Sequence, residues 1–147
     1  MISLRNFTND DAEAFQQKQR INISLDEIKA MFAKWEDKMY AGKYFEMFAV
    51  MNDGEIVGLI SLYQLSKSVV SCGPEIFEDY RKQGIGREAM LLAMDIAKNM
   101  GYKVISQQIG RDNEASIALH NKLEFETDGY IYRNKKGNEV LIYVKPL

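Results

Sequence analysis

Ile76-Phe77-Glu78-Asp79-Tyr80-Arg81-Lys82-Gln83-Gly84-Ile85-Gly86-Arg87 is the stretch on which the reading of this chain turns. It has the pattern of a strand end, a turn, a glycine loop and a helix start. Two glycines one residue apart at a helix start let a ligand come close to the backbone. The first amides of such a helix have no internal partner, and its dipole adds about half a positive charge. Together they form a cradle for a pyrophosphate. Arg81, Lys82 and Arg87 add cations beside it. A nucleoside-triphosphate loop is excluded, because it needs Gly-Lys before Ser or Thr and Arg87 follows Gly86. A dinucleotide fingerprint has three glycines after the first strand of its unit, and this loop comes late.

Downstream, Gly84 to Met100 reads as a helix ended by Gly101, with Ile85, Ala89, Leu92, Ile96 and Met100 as its buried stripe. Lys103 to Ile109 reads as a strand and Asn113 to Leu123 as a short helix. Ile131-Tyr132 and Val140 to Val144 flank Asn134 to Asn138 as a closing hairpin. Upstream, Ile2 to Phe7 alternates like a strand, and Thr8 followed by Asp11 marks a helix start. Ser24-Leu25-Asp26-Glu27 is a capping box, followed by an apolar stripe of Ile28, Met31, Phe32, Trp35 and Met39. Phe45 to Met51 and Glu55 to Gln64 form a hairpin about Asn52-Asp53-Gly54. Lys67 to Phe77 is a further strand broken by Gly73-Pro74, which fits either an edge strand or an opening beside a ligand. Strands alternating with helices give an α/β class, a mixed sheet flanked by helices, in a single domain over residues 1–147.

The 147 residues carry a net charge of -2, with 46% hydrophobic and 27% charged residues. This composition opposes disorder, and the absence of a long basic run argues against nucleic acid as a partner. Cys72 is the only cysteine, so no internal disulfide forms. No apolar run approaches the ~20 residues of a membrane helix, and the start is unlike a secretory leader, so a cytoplasmic location without membrane contact is expected.

Arg81-x-x-Gly84-x-Gly86 resembles the acetyl-CoA signature of the Gcn5-related N-acetyltransferases (GNAT). Asn113-Glu114-Ala115-Ser116-Ile117-Ala118-Leu119-His120-Asn121-Lys122-Leu123-Glu124-Phe125 is similar to a second segment of that family, and Leu4 to Ala12 resembles its N-termini. The likeness implies a splayed strand pair near Gly73-Pro74 with acetyl-CoA between the strands. It implies that backbone groups around Ile76 and Phe77 pair with the pantetheine arm. The amides of Gln83, Gly84, Ile85, Gly86 and Arg87 would hold the pyrophosphate, flanked by Arg81 and Lys82, with Asn113 near the pantetheine. Glu124 stands where the family has glycine, and a local backbone adjustment is expected there.

The implied activity is acetyl transfer to a primary amine of a small molecule by direct attack, without a metal. A protein N-terminus or lysine as acceptor, or a non-catalytic acyl-CoA-binding domain, are the alternatives, and a homodimer is compatible with each. An alkyl amine with a pKa of about 10 must lose a proton, and a thiolate with a pKa near 8.5 must gain one. His120, the only histidine, takes the family's acid position. Glu75, at the strand end, is the candidate base, with Glu46 as its rival. Trp35, Tyr40 and Tyr44 are expected to frame the acceptor.

Overall fold

The computed structural model describes residues 1–147. The chain opens with β1 (Ile2–Asn6), a 3-10 turn at Asn9–Asp11, α1 (Ala12–Gln19) and α2 (Leu25–Glu36). Then come β2 (Met39–Tyr40), β3 (Lys43–Asn52), β4 (Glu55–Gln64) and β5 (Val69–Ile76). A 3-10 turn at Glu78–Tyr80 leads to α3 (Ile85–Asn99), β6 (Val104–Gly110) and α4 (Glu114–Lys122). Short strands β7 (Glu126–Thr127) and β8 (Tyr132–Arg133) precede β9 (Glu139–Pro146). No helix is long and apolar enough to cross a membrane.

The strands form one mixed sheet in the order β1-β3-β4-β5-β6-β9-β7, with β2 on β3 and β8 on β9. Every pairing is antiparallel except β5 with β6. That parallel pair holds only at Val69↔Val104 and Val70↔Ile105, after which the strands part. The strand expected to break at Gly73-Pro74 is therefore an interior strand, not an edge, and it opens just before that dipeptide.

Alternation along the strands sorts the two cores. Phe48 and Val50 face α3 and α4, together with Ile60, Leu62, Val70 and Ile105. Ala49 and Met51 face α1 and α2, where Phe7, Phe15, Phe32 and Phe77 pack ring against ring. The capping box at Ser24 forms as read, with Ser24 Oγ accepting from Glu27 N at 3.1 Å. Arg5 grips Asp11 with two hydrogen bonds of 2.8 and 2.9 Å, and Thr8 N donates to the same carboxylate. Burial opposes the Asp11 charge, but Arg5 and the Thr8 amide outweigh it and hold the carboxyl below the usual range.

Two expectations need correction. The buried stripe of α3 is Ile85, Ala89, Met90, Ala93, Met94 and Ala97, whereas Met100 is exposed. Alanines line the closest approach of helix to sheet because a small side chain lets the two backbones come near. Larger Leu92 and Ile96 sit only half-buried at the margin. Nor does the backbone adjust at Glu124. It keeps the left-handed conformation of the missing glycine, at φ 62°, with its amide on Asn121 O at 3.1 Å. A side chain in this region costs about 1–2 kcal/mol, partly offset by glycine's greater freedom when unfolded. Glu124→Gly should therefore stabilise the fold by about 0.5–1 kcal/mol, read as a rise of ~1–4 °C in melting temperature. An unchanged or lower melting temperature would show that the strain is relieved elsewhere.

Candidate functional site

Where β5 and β6 part, a cleft of about 670 Å³ opens. β5 lines one side from Ser71 to Ile76, Gln107 to Ile109 of β6 line the other, and Arg81 and Gly86 lie at the helix start. Asn113, Ala115, Ser116, Leu119 and His120 of the α4 segment complete it.

The β5 backbone gives this cleft its chemistry. Phe77 N donates to Val57 O of β4 at 3.0 Å. In an antiparallel ladder alternate residues turn their backbone groups to the same neighbour. Gly73 and Glu75 thus face β4, while Cys72, Pro74 and Ile76 face the cleft. Pro74 lacks its N–H on the side where no strand remains to receive one, so the proline removes no ladder bond. Its carbonyl and the Ile76 amide are left on the open edge. The Ile76 carbonyl accepts from Arg81 Nε at 2.9 Å, which ties the glycine loop to the strand. Phe77 does not share the role expected of it: its amide is bonded to β4, its carbonyl accepts from Tyr80 N at 2.9 Å, and its ring lies in the aromatic core.

Gly84 caps α3 at φ 78°, a conformation natural to glycine. The first helix amide to reach a carbonyl is Glu88 N, on Gly84 O, so Ile85, Gly86 and Arg87 present free amides. A Cβ on Gly86 would meet Ile76 Cγ1 at 3.8 Å and Leu119 Cδ2 at 3.9 Å, ordinary contacts with two cleft-lining side chains. Packing does not demand this glycine, and any longer side chain would grow into the cleft. Lys82, Gln83 and Arg87 are exposed, and their side chains do not line it. Ile85 turns its side chain into the core. Asn113 lines the cleft and also caps α4, its Oδ1 accepting from Ser116 N at 3.1 Å.

Glu75 is the one carboxylate of the cleft wall, exposed and accepting from Gln19 Nε2 of α1 at 2.9 Å. Glu46 lies elsewhere, held by the Tyr44 hydroxyl, Asn6 and Lys38. Tyr44 stacks on Tyr102 on the α3 face, apart from Trp35 and Tyr40. Trp35 and Tyr40 instead share a second cavity of about 480 Å³ with Lys34, Met39, Phe45 and Tyr63. Cys72 is buried, and burial pushes its thiol up to about 12, so it is no thiolate nucleophile at neutral pH.

His120 is only 1% exposed and packs against Phe125 and Tyr143. Its Nδ1 lies 2.7 Å from the Ser116 carbonyl, so Nδ1 carries the proton and donates it there. Nε2 lies 3.4 Å from Gln107 Nε2, an amide nitrogen that can only donate, so the histidine Nε2 is the acceptor. Burial lowers the pKa of the ring, against the raising effect of the Ser116 bond. This arrangement departs from the expected acid role: the neutral ring has its one proton turned toward a carbonyl. Gln107, Ser71 and Ser116 also line the cleft, and no sequence motif marks them as site residues.

Residues 2–126 match the acetyltransferase (GNAT) domain model. The chain belongs to the GNAT acetyltransferase family. It is 27% identical over 101 residues to the SPbeta prophage-derived uncharacterized N-acetyltransferase YokL of Bacillus subtilis, covering 67% of this chain and 57% of YokL. The chain thus spans a little over half the length of that relative. Its fold is similar to that of the RimL ribosomal L7/L12 α-N-protein acetyltransferase in complex with coenzyme A. That match has a TM-score of 0.83 at 17% identity and covers 99% of this chain and 94% of RimL. A chimera of the spermidine N-acetyltransferase SpeG from Vibrio cholerae and hSSAT is similar in fold at TM-score 0.79 and 15% identity, covering 98% of this chain and 95% of that one.

Two outcomes follow from this geometry. Gly86→Val should leave the fold in place and remove binding of acetyl-CoA, measured by calorimetry beside a circular dichroism melt. Wild-type affinity in the folded variant would put the phosphates elsewhere. The second concerns pH. A base whose pKa is depressed on folding stabilises the native state above its unfolded value of about 6.5, and that stability is lost as pH falls below it. The melting temperature should fall between pH 7 and 5.5, and fall less in His120→Phe. Parallel slopes would mean that His120 does not titrate on unfolding.

Proposed function

We propose that this chain transfers an acetyl group from acetyl-CoA to the primary amine of a small molecule by direct attack. The observation that carries this is the open β5 edge, with the Pro74 carbonyl and Ile76 amide facing a cleft that runs to the free amides of α3. A pantetheine arm is an extended chain of two amides that can pair with such an edge as an added strand does. A pyrophosphate suits the amides and dipole at the helix start, with Arg81 as the one cationic side chain on the wall. When bound, acetyl-CoA supplies an acetyl thioester.

The residues divide the remaining work. Glu75 accepts the proton that the acceptor ammonium must lose, directly or through water. The amine then attacks the acetyl carbonyl carbon and the carbon–sulfur bond breaks; the nitrogen sheds a second proton as the amide forms, which balances the proton the departing sulfur takes. His120 is not arranged to give that proton, and Ser71 Oγ is bound to Gln107 at 2.9 Å. The Ser116 hydroxyl, whose nearest bonded partner is His120 Nδ1 at 3.4 Å, is the freer donor on the wall. Positioning of the two substrates supplies much of the remaining acceleration.

A small acceptor is supported by the second cavity, whose size suits a small ligand. It lies on the α2 side of the sheet, by the Tyr63↔Ser71 end of the β4–β5 pair, with Glu75 four residues farther along β5. Tyr63 of this cavity is the cross-strand partner of Ser71 on the cleft wall, so the two cavities meet across one strand pair. Its aromatic walls suit an amine carried on an apolar or cationic body.

Saturating acetyl-CoA should raise the melting temperature, since a ligand at a hundredfold excess over Kd adds about 2.7 kcal/mol. Coenzyme A release should follow with some members of an amine panel and be matched by an acetyl mass shift in the acceptor. Binding without release across small amines, with acetylation of a peptide N-terminus instead, would overturn the small-molecule assignment. No shift and no calorimetric binding would remove the cofactor itself.

A further inference from the structure

Gln107 is 3% exposed, and its side chain crosses the gap between the parted strands. Its Oε1 accepts from Cys72 N at 2.8 Å and from Ser71 Oγ at 2.9 Å. Its Nε2 donates to Cys72 O at 2.6 Å and faces His120 Nε2 at 3.4 Å. Every hydrogen-bonding group of the carboxamide thus has a partner, and the pattern at Cys72 is that of a neighbouring strand. The side-chain amide replaces the peptide that β6 would present if pairing continued past Val70↔Ile105. It does so at the reach of a glutamine side chain, wider than a ladder.

His120 fixes which way the amide lies. With Nδ1–H donating to Ser116 O, the Nε2 lone pair of His120 accepts only from the Gln107 amide nitrogen. A flipped carboxamide would set oxygen against the Cys72 carbonyl and the imidazole lone pair. The partners around His120 are Ser116, Gln107, Phe125 and Tyr143, and burial keeps the ring neutral.

We infer that Gln107 is a positioning residue that holds the mouth of the β5–β6 opening at the width of a pantetheine arm, with neutral His120 locking its orientation. This rests on the acetyl-CoA reading above. It gives the family-position histidine a task other than proton transfer: it holds the residue that shapes the cleft. Beyond Cys72 the next cleft-facing groups of β5 are the Pro74 carbonyl and the Ile76 amide. The Gln107 bridge therefore marks where protein pairing ends and ligand pairing begins.

Gln107→Met keeps length and volume and removes all four contacts. It should weaken acetyl-CoA binding by roughly 10- to 100-fold, the usual effect of a misplaced substrate-holding wall. KM for acetyl-CoA should rise more than kcat falls. Two readouts on the wild-type chain need no variant. Nitrogen-15 NMR should show His120 as the neutral Nδ1–H tautomer from pH 6.5 to 8.5, and the Cys72 amide should exchange slowly without any ligand. An Nε2–H tautomer, or a Cys72 amide that exchanges at the rate of a solvent-exposed loop, would overturn the network. Affinity within twofold of wild type in a folded Gln107→Met chain would overturn the positioning role alone. A wild-type chain that binds no acetyl-CoA would overturn the cofactor reading and the positioning role with it, while the NMR result would still judge the network.

Discussion

Past Val70 the inner edge of β5 has no strand beside it, and its backbone polar groups must find partners that a sheet would otherwise supply. An unpaired buried amide or carbonyl costs about 1–3 kcal/mol, so an opening in mid-sheet is sustained only if each group is answered. The chain answers them in sequence. Both groups of Cys72 go to the Gln107 carboxamide, the donor at 74 is deleted by proline, and the Ile76 carbonyl goes to Arg81. What remains is one carbonyl and one amide, two residues apart on the same edge. These two groups are what the β5 edge leaves open to the cleft.

Keeping β5 in place despite a missing neighbour makes β4 its principal support. Their pairing runs from Gln64↔Val70 to Gly58↔Ile76. At its far end the strands close so tightly that a Cβ on Gly58 would lie 2.5 Å from the Glu75 carbonyl. A bulge between Val50 and Met51 shifts the register of β3 and β4 just there. Tight pairing on one side and a held gap on the other bring the end of β5, the Arg81 loop and the start of α3 into one short turn. The glycine loop thus receives its geometry from the sheet as well as from its own sequence.

Much of this was readable along the chain because it is local. The capping box at Ser24, the β3–β4 turn and the glycine loop depend on neighbours in sequence, and they form where read. What escaped depends on which face a residue takes. Tyr44 was expected beside Trp35 and Tyr40, but strand alternation sends it to Tyr102 and leaves Phe45 beside Tyr40 and Tyr63. On α3 the bulky Leu92 and Ile96 stand at the margin, whereas the sheet approaches along Ala89, Ala93 and Ala97. Gln107 did carry a signal. It is in phase with Ile105 and Ile109, both buried, and a polar residue on the apolar face of a strand calls for a buried partner. Glutamine beside glutamine, in Gln107-Gln108, hid it as an ordinary polar pair.

The division between the two faces of the sheet also explains why the cofactor is more legible than the acceptor. On the α3 face the demands are backbone demands: free amides, a glycine without a Cβ, and a proline without a donor. Few residue types satisfy them, so they leave marks in the sequence. On the α1 and α2 face the second cavity is built from Trp35, Met39, Tyr40, Phe45 and Tyr63, residues that would equally well fill a core. Trp35 does both, closing the aromatic core against Phe7 and Phe32 while lining the cavity. An aromatic wall selects by shape and by the placement of a few polar groups rather than by one fixed residue. Glu75, on the strand that walls the cleft, reaches Gln19 of α1. One strand thus presents backbone groups to the cleft and a carboxylate to α1. The period of two along β5 turns the Ile76 amide to the cleft and carries the Glu75 carboxylate to Gln19 of α1, one residue apart on the same strand.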